Sequence, residues 1–349
     1  MEVKIYRNSE FKELESDFSF ILDQLDIYYQ PAFLNCDALV QDGTPEVFTC
    51  YDQATQEVFI YPYLRRAIPD SDLEDIRSPY GYAGPYASNG SFATIGELAF
   101  LKHVTDEGFV TEFVRYHFQY NQTLLFQNNC QNILNRNVVI LDLTKSPEVI
   151  WEEEFSKTNR NLVRKLEKLE FEWKTKDFEK QDISWFKNLY DETMQNANAE
   201  DFYLFPSSYY ETLIDQLGSN IKICWVEKED ERYAASLFYV SGGIITYFLS
   251  GRNLNYPKIS ATNLLLSKLA MWGSENKYES LNFGGGLSLS AEDRLFKFKQ
   301  NFSKSAMPFY IGKRIHNESA YAQLKTQYIE KFGVEKFDEV KHFLQFYLP

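Results

Sequence analysis

The sequence predicts an α/β (α+β) protein built as two tandem domains, each a mixed sheet flanked by helices. Three observations lead there. The 349 residues, 44% of them hydrophobic, are enough to bury two cores rather than one. Strand-like and helix-like stretches alternate along the whole chain. A buried-strand candidate, NVVILDL, closes the first series of elements just before a second begins, which divides the chain into residues 1–145 and 146–349.

In the first half VKIYR reads as a strand, and Phe11 to Leu25 carries apolar residues at helical spacing. PEVFTCYD and EVFIYPYL, joined by the polar QATQ, read as a hairpin. RSPYGYAGPYASNG, with its Pro, Gly and Tyr, predicts an ordered loop, followed by a long helix over Ile95–Phe118. The second half opens on a helix from Pro147 to Glu170 with Ser146 as its N-cap. Phe155, Leu162, Leu166 and Leu169 form its apolar face, and Lys157, Arg160, Arg164 and Lys168 the opposite one. Then come the strand FEWKTK, helices at Ile183–Asn196 and Ser207–Leu217, and the strands IKICWVE, YAASLFYV and GIITYFLS. The loop GRNLNYPKIS leads to a helix at Ala261–Ser274, ESLNFGGG ends a further strand in three glycines, and helices near Ala322–Phe332 and Val334–Tyr347 finish the chain.

Composition narrows the function classes. A net charge of −14 opposes non-specific binding to nucleic acid or anionic membrane, so any polyanion must find a local basic patch. Four widely spaced cysteines (Cys36, Cys50, Cys130, Cys224) make no metal-ligand pair and read as reduced core thiols. The four histidines are likewise scattered, and no metal site is expected. The charged N-terminus lacks the apolar stretch of a signal peptide and no apolar run approaches a membrane span, which predicts a cytoplasmic protein.

The order of the second half, helices, three successive strands, a loop, a helix and a strand, is that of a GNAT acyltransferase core. From Ser156 to Lys304 four pieces strengthen the likeness: SKTNRNLVRKLEK at 156–168, FYLFPSSYYETL at 202–213, SGRNLNYPKISATNLLLSKLAMWGSENKYESLNFGGG at 250–286, and LFKFKQNFSK at 295–304. With SPYGYAGP at 78–85 and YYQPAFL at 28–34, the chain resembles the Fem family of peptidyl and aminoacyl transferases and the related GNAT-type acyltransferases of bacterial surface-polysaccharide biosynthesis. The resemblance implies two GNAT-like domains facing across a cleft, and transfer of an acyl or aminoacyl group to an amine or hydroxyl of a polysaccharide or cell-wall precursor. It implies no tightly bound cofactor; the donor is a co-substrate, acyl-CoA or aminoacyl-tRNA, and the acceptor a small molecule or sugar nucleotide. Two departures matter. The loop GRNLNYPKIS lacks the Q/R-x-x-G-x-G/A pattern that holds the CoA pyrophosphate, so tight CoA binding is not expected, and Phe205 stands where peptidoglycan-acting relatives tend to carry Arg.

Lys299 matches the Lys of the family's F-K-x-x-F piece, which the resemblance implicates in transfer. Helical spacing over 292–302 independently sets Lys299 at the border of a Leu295, Phe298, Phe302 face and turns Lys297 to solvent. A cation beside an apolar wall stabilises the oxyanion of an attacked ester or thioester; the competing reading is a lysine whose stem covers Phe rings. Gly284, Gly285 and Gly286 allow close backbone approach to a ligand, or mark an ordinary turn. Arg160 and Arg164 could bind phosphates, although a charged helix face is the commoner explanation. Arg252 and Asn263 flank the donor loop, Tyr247 and Tyr256 lie near the expected centre, and Arg77, Tyr80 and Tyr82 sit in the Tyr-Gly-Tyr loop. These complete the binding candidates. The rivals to precursor acylation are tRNA-dependent aminoacyl transfer in peptidoglycan bridges and a non-catalytic glycan-binding relative.

Overall fold

The computed structural model describes residues 1–120, 128–290 and 292–348. In chain order the elements are β1 (Glu2–Arg7), α1 (Phe11–Leu22), α2 (Pro31–Gln41), β2 (Thr44–Asp52), β3 (Glu57–Ala67), β4 (Glu74–Arg77), β5 (Tyr86–Ala87), α3 (Gly90–Glu107), β6 (Thr111–Arg115) and β7 (Gln131–Asp142). They continue as α4 (Pro147–Val149), α5 (Lys157–Lys168), β8 (Glu172–Asp177), α6 (Ile183–Asn196), α7 (Ser207–Leu217), β9 (Ile221–Lys228), β10 (Glu231–Ser241) and β11 (Ile244–Arg252). Last come α8 (Ala261–Glu275), β12 (Ser280–Gly285), α9 (Arg294–Lys299), β13 (Ala306–Ile315), α10 (Glu318–Phe332) and α11 (Val334–Val340). The chain groups into two compact units, residues 1–19, 37–135 and 308–349 in the first, 20–36 and 136–307 in the second.

In the first unit the strands run β1-β2-β3-β4-β6-β13, with β5 on β3. All neighbours are antiparallel except β4 and β6, which pair in parallel at Ile76–Glu112 and Arg77–Phe113. Alternating aromatic residues of β2 and β3 (Phe48, Phe59, Tyr61, Tyr63) bury against Phe92 and Phe100 of α3. Beside this core Arg314 donates to Glu97 at 2.6 Å and to Glu112 at 2.9 Å, and His316 and Tyr61 also meet Glu112. Burial pushes Glu112 up, but Arg314 and His316 outweigh it and hold the carboxyl at about 2.

In the second unit the order is β7-β12-β11-β10-β9-β8, antiparallel except for β11 beside β12. That parallel ladder has three rungs, Ile244–Ser280, Ile245–Leu281 and Thr246–Asn282, and stops there although both strands continue. One face packs on α8, whose Leu264, Leu265, Leu266 and Leu269 are buried with Val139 and Leu141 of β7 and Leu281 and Phe283 of β12. A helix apolar on so many sides belongs inside a core.

Four local expectations fail for identifiable reasons. The helix expected over Ile95–Phe118 ends at Glu107, because Gly108 takes φ +76° and its N–H reaches the carbonyls of Val104 and Thr105; Thr111–Arg115 then forms β6. The helix expected over Pro147–Glu170 is two pieces. After a π-helical turn at Ile150–Glu154, Phe155 is extended, and Ser156 starts α5 by accepting the N–H of Asn159. The break at Phe155 starts α5 in a new phase, so Asn159, Val163 and Leu166 form the buried face while Leu169 is 42% exposed. The last helix stops at Val340 and does not reach Tyr347. The strands β4 and β13 have no counterpart in the sequence reading. The hairpin, the other long strands, α6, α7 and α8 lie where the sequence places them, α2 and the short β5 were not placed, and the four cysteines form no disulfide among the described residues.

Candidate active site

Where β11 and β12 part, the chain builds a small cationic site from the glycine run and α9. A bulge in the β12–β7 ladder follows Asn282, whose Oδ1 accepts the Gly284 N–H at 2.8 Å. Gly284 has φ +79°, a conformation that other residues adopt only under strain. The strand end is thereby turned so that two carbonyls face cations: Lys299 Nζ donates to Gly285 O at 2.7 Å, and Arg136 Nη1 to Gly286 O at 2.9 Å. Asp293 fixes the far side of this turn. One carboxylate oxygen caps α9 at the Phe296 N–H; the other accepts the N–H groups of Leu287 and Ser288.

Lys299 is 8% exposed, and its Nζ lies 5.9 Å from the centre of the Tyr247 ring. Burial first, and Arg136 second, push it down to about 7, with Asp293 pulling the other way. Burial raises Tyr247 to about 12, which leaves it a proton donor and not a base. Lys297, one turn face away, pairs with Glu292 in solvent at 2.7 Å. The Lys299 ammonium end is thus held on a backbone carbonyl, beside the Tyr247 ring. Leu295, expected on the apolar face, is 37% exposed.

At the last rung, Thr246 and Asn282 are 2% and 1% exposed, and Thr246 Oγ1 and Asn282 Nδ2 have no hydrogen-bond partner among the described residues. Such orphans are uncommon in native interiors and gather where ligands or water complete the bonding.

The other sequence candidates lie elsewhere. Asn263 donates to Asn159, which in turn donates to Ser267, a buried polar chain joining α8 to α5. Arg160 donates to the carbonyls of Trp151, Glu152 and Phe155, closing the turn before α5, and Arg164 lies over the Trp151 ring. Arg252 is exposed, with its backbone N–H on Thr193, and Tyr256 packs its half-exposed ring on Tyr233. Arg77, Tyr80 and Tyr82 belong to the first unit, where Tyr82 wedges between Phe118 and Phe309. Sequence reasoning missed Arg136 and Asp293. The N-cap pattern of Asp293 ahead of RLFKF was legible; Arg136 showed only a cation ahead of a buried strand. Among the described residues no cluster of His, Cys, Asp or Glu could hold a metal, and no helix is long and apolar enough to cross a membrane.

Known proteins share the fold. Residues 154–299 match the acetyltransferase (GNAT) domain, a span that ends on Lys299. No curated protein sequence matches the chain. Among solved structures, FemX superposes with a TM-score of 0.71 at 13% identity, over 93% of this chain and 99% of that one. L-PGS from Bacillus licheniformis gives 0.57 at 15% identity over 89% and 94%. The C-terminal domain of a candidate lysylphosphatidylglycerol synthetase from Agrobacterium fabrum gives 0.56 at 15% over 94% and 99%. At these identities the likeness is one of fold. Residues 154–299 thus match a GNAT domain, which makes the chain an acyltransferase, and its fold is shared with FemX.

Proposed function

We propose that this acyltransferase moves an acyl or aminoacyl group onto an amine or hydroxyl of a cell-surface polysaccharide or cell-wall precursor by direct attack, with Lys299 polarising the acyl carbonyl. The observation that carries the reading is the buried Lys299 ammonium held on the Gly285 carbonyl where two parallel strands part. In the step, the acceptor nitrogen or oxygen bonds to the acyl carbon, the carbon–sulfur or carbon–oxygen bond of the donor breaks, and the acceptor's proton leaves with the released group. Negative charge on the former carbonyl oxygen favours the ammonium form of Lys299, so the cation is strongest in the transition state, where a dry site makes it count most. GNAT domains use acyl-CoA as co-substrate, and the likeness to a candidate lysylphosphatidylglycerol synthetase keeps aminoacyl donors beside it.

The test is single-turnover transfer with a donor found by screening acyl-CoA thioesters and aminoacyl-tRNAs. Lys299→Ala is expected to lower the rate about 10²–10³-fold, the loss that follows removal of one oxyanion donor, with acceptor binding little changed. Lys299→Arg should recover only part, since the planar fork does not reproduce a compact ammonium. Lys297→Ala should be silent. Equal losses at Lys297 and Lys299, or normal turnover by Lys299→Ala, would assign the cation role elsewhere.

A further inference from the structure

The first unit repeats, within its own sheet, the feature that marks the site in the second. Its parallel pair, β4 and β6, makes two rungs and parts after Arg77 and Phe113. Both strands end in arginine, Arg77 on β4 and Arg115 on β6. The chain then enters the 78–85 loop, tied to β6 by the Ser78 N–H on Phe113 O and the Arg115 N–H on Ser78 Oγ. Arg115 lies over the rings of Tyr80 (5.6 Å) and Phe113 (4.9 Å), and its Nη1 donates to Ser78 O at 3.3 Å.

Arg77 is different in kind. Its Nε is buried without a partner, and among the described residues its guanidinium makes no hydrogen bond or ion pair. Asp37 and Asp75 act on it through space, but their direct partners lie elsewhere. Asp75 is taken by Arg66 at 3.2 Å, and Asp37, 5% exposed, accepts the Tyr80 N–H at 3.0 Å. Burial, followed by Arg115 and Arg66, pushes Arg77 down to about 9, while burial lifts Asp37 to about 6 despite both arginines. A guanidinium carries five N–H donors in a fork that fits an oxyanion, and here the Nε–H is buried unmet beside a second arginine. In open sheets ligands collect outside the carboxyl ends of parallel strands where the chain diverges.

We infer that Arg77 and Arg115 form an oxyanion-binding site in the first unit, taking a phosphate or carboxylate group of a substrate, with Asp37 setting the charge behind them. The site is independent of Lys299.

The experiment follows the unfolding midpoint of the full chain in inorganic phosphate, pyrophosphate or acetate at ionic strength held constant with sodium chloride. An anion that binds the folded state raises the midpoint by mass action. The expected result is a rise with at least one of the three anions beyond that in chloride. A phosphate or pyrophosphate response alone identifies a phosphoryl group, an acetate response alone a carboxylate, and a response to all a general oxyanion site. Arg77→Met should weaken that anion at least about tenfold while leaving the ligand-free midpoint unchanged or higher, since it removes a half-buried cation whose Nε has no partner. Arg77→Lys should keep a weaker response, having the charge without the fork. Lys299→Ala should respond like the parent, which separates this site from the transfer reading. No response by the parent chain, or an Arg77→Met chain that is less stable without ligand and responds fully, would overturn the proposal.

Discussion

Lys299 pays for its position in proton affinity, and that cost can be read in stability. Its ordinary value is 10.5 and its folded value about 7. Between those limits the unfolded chain holds a proton that the folded chain does not, so stability contributed by this group rises with pH from about 7 to about 10.5; below 7 both forms are charged and the burial cost is fully present. Lys299→Met is therefore expected to raise the unfolding midpoint at pH 6 and to flatten the climb from pH 7 to 10 relative to the parent. Denaturant melts at pH 6, 8 and 10 check this. An unchanged slope would show an ammonium that is solvated in the folded chain. The residue was legible in the sequence because a family motif and helical spacing agreed on it. Its neighbour Arg136 was not, since pairing across the β12–β7 ladder brings it to Gly286 from 150 positions away.

At the scale of elements, the lesson concerns helix ends. Periodicity found α5 but carried it back through Phe155, because the apolar spacing runs on across the π turn and the extended Phe155 and Ser156 that separate it from α5. The break is held by Arg160 on three carbonyls and by Ser156 Oγ on Asn301 Oδ1 at 2.7 Å. Arg160→Ala is expected to cost about 1.5–3 kcal/mol, the range for hydrogen bonds to a charged group, whereas Arg164→Ala should cost under about 1 kcal/mol as a half-exposed stacking cation. Urea melts of the two variants decide it, and equal losses would remove the structural role given to Arg160. In the first unit the corresponding fixture is the buried Arg314, which joins α3, β6 and β13. Arg314→Met leaves the buried Glu97 and Glu112 without their shared arginine and should destabilise by roughly 3–5 kcal/mol. Neither β13 nor this network was visible in the sequence: AMPFYIGKRI alternates poorly, and the partners of Arg314 lie 202 and 217 positions away.

For the molecule as a whole, the order of elements disclosed the GNAT core of the second unit, and the long strong strands and α8 were placed by composition and period alone. The grouping of residues 20–36 with the second unit and 308–349 with the first is set by tertiary packing, which local pattern does not encode. The loop before α8 gives a prediction on the donor. Asn253 folds it inward, donating to Glu231 and to the carbonyl of Arg232, and no Gly-rich cradle faces the start of the helix. Acetyl-CoA is accordingly expected to bind more weakly than about 0.1 mM, in the upper part of the ordinary substrate range. Micromolar binding by calorimetry would instead place this chain with tight CoA users.

The central claim is that Lys299 acts as a cation on the reacting carbonyl, and the pH dependence of transfer at limiting substrate tests it most directly. In the free enzyme the ammonium is lost as pH rises through about 7, so kcat/KM of the parent should fall across that limb, while Lys299→Arg, slower but permanently charged, should show no such fall. A parent rate that climbs through the same limb, abolished in Lys299→Arg, would contradict the account and make Lys299 the base that takes the acceptor's proton.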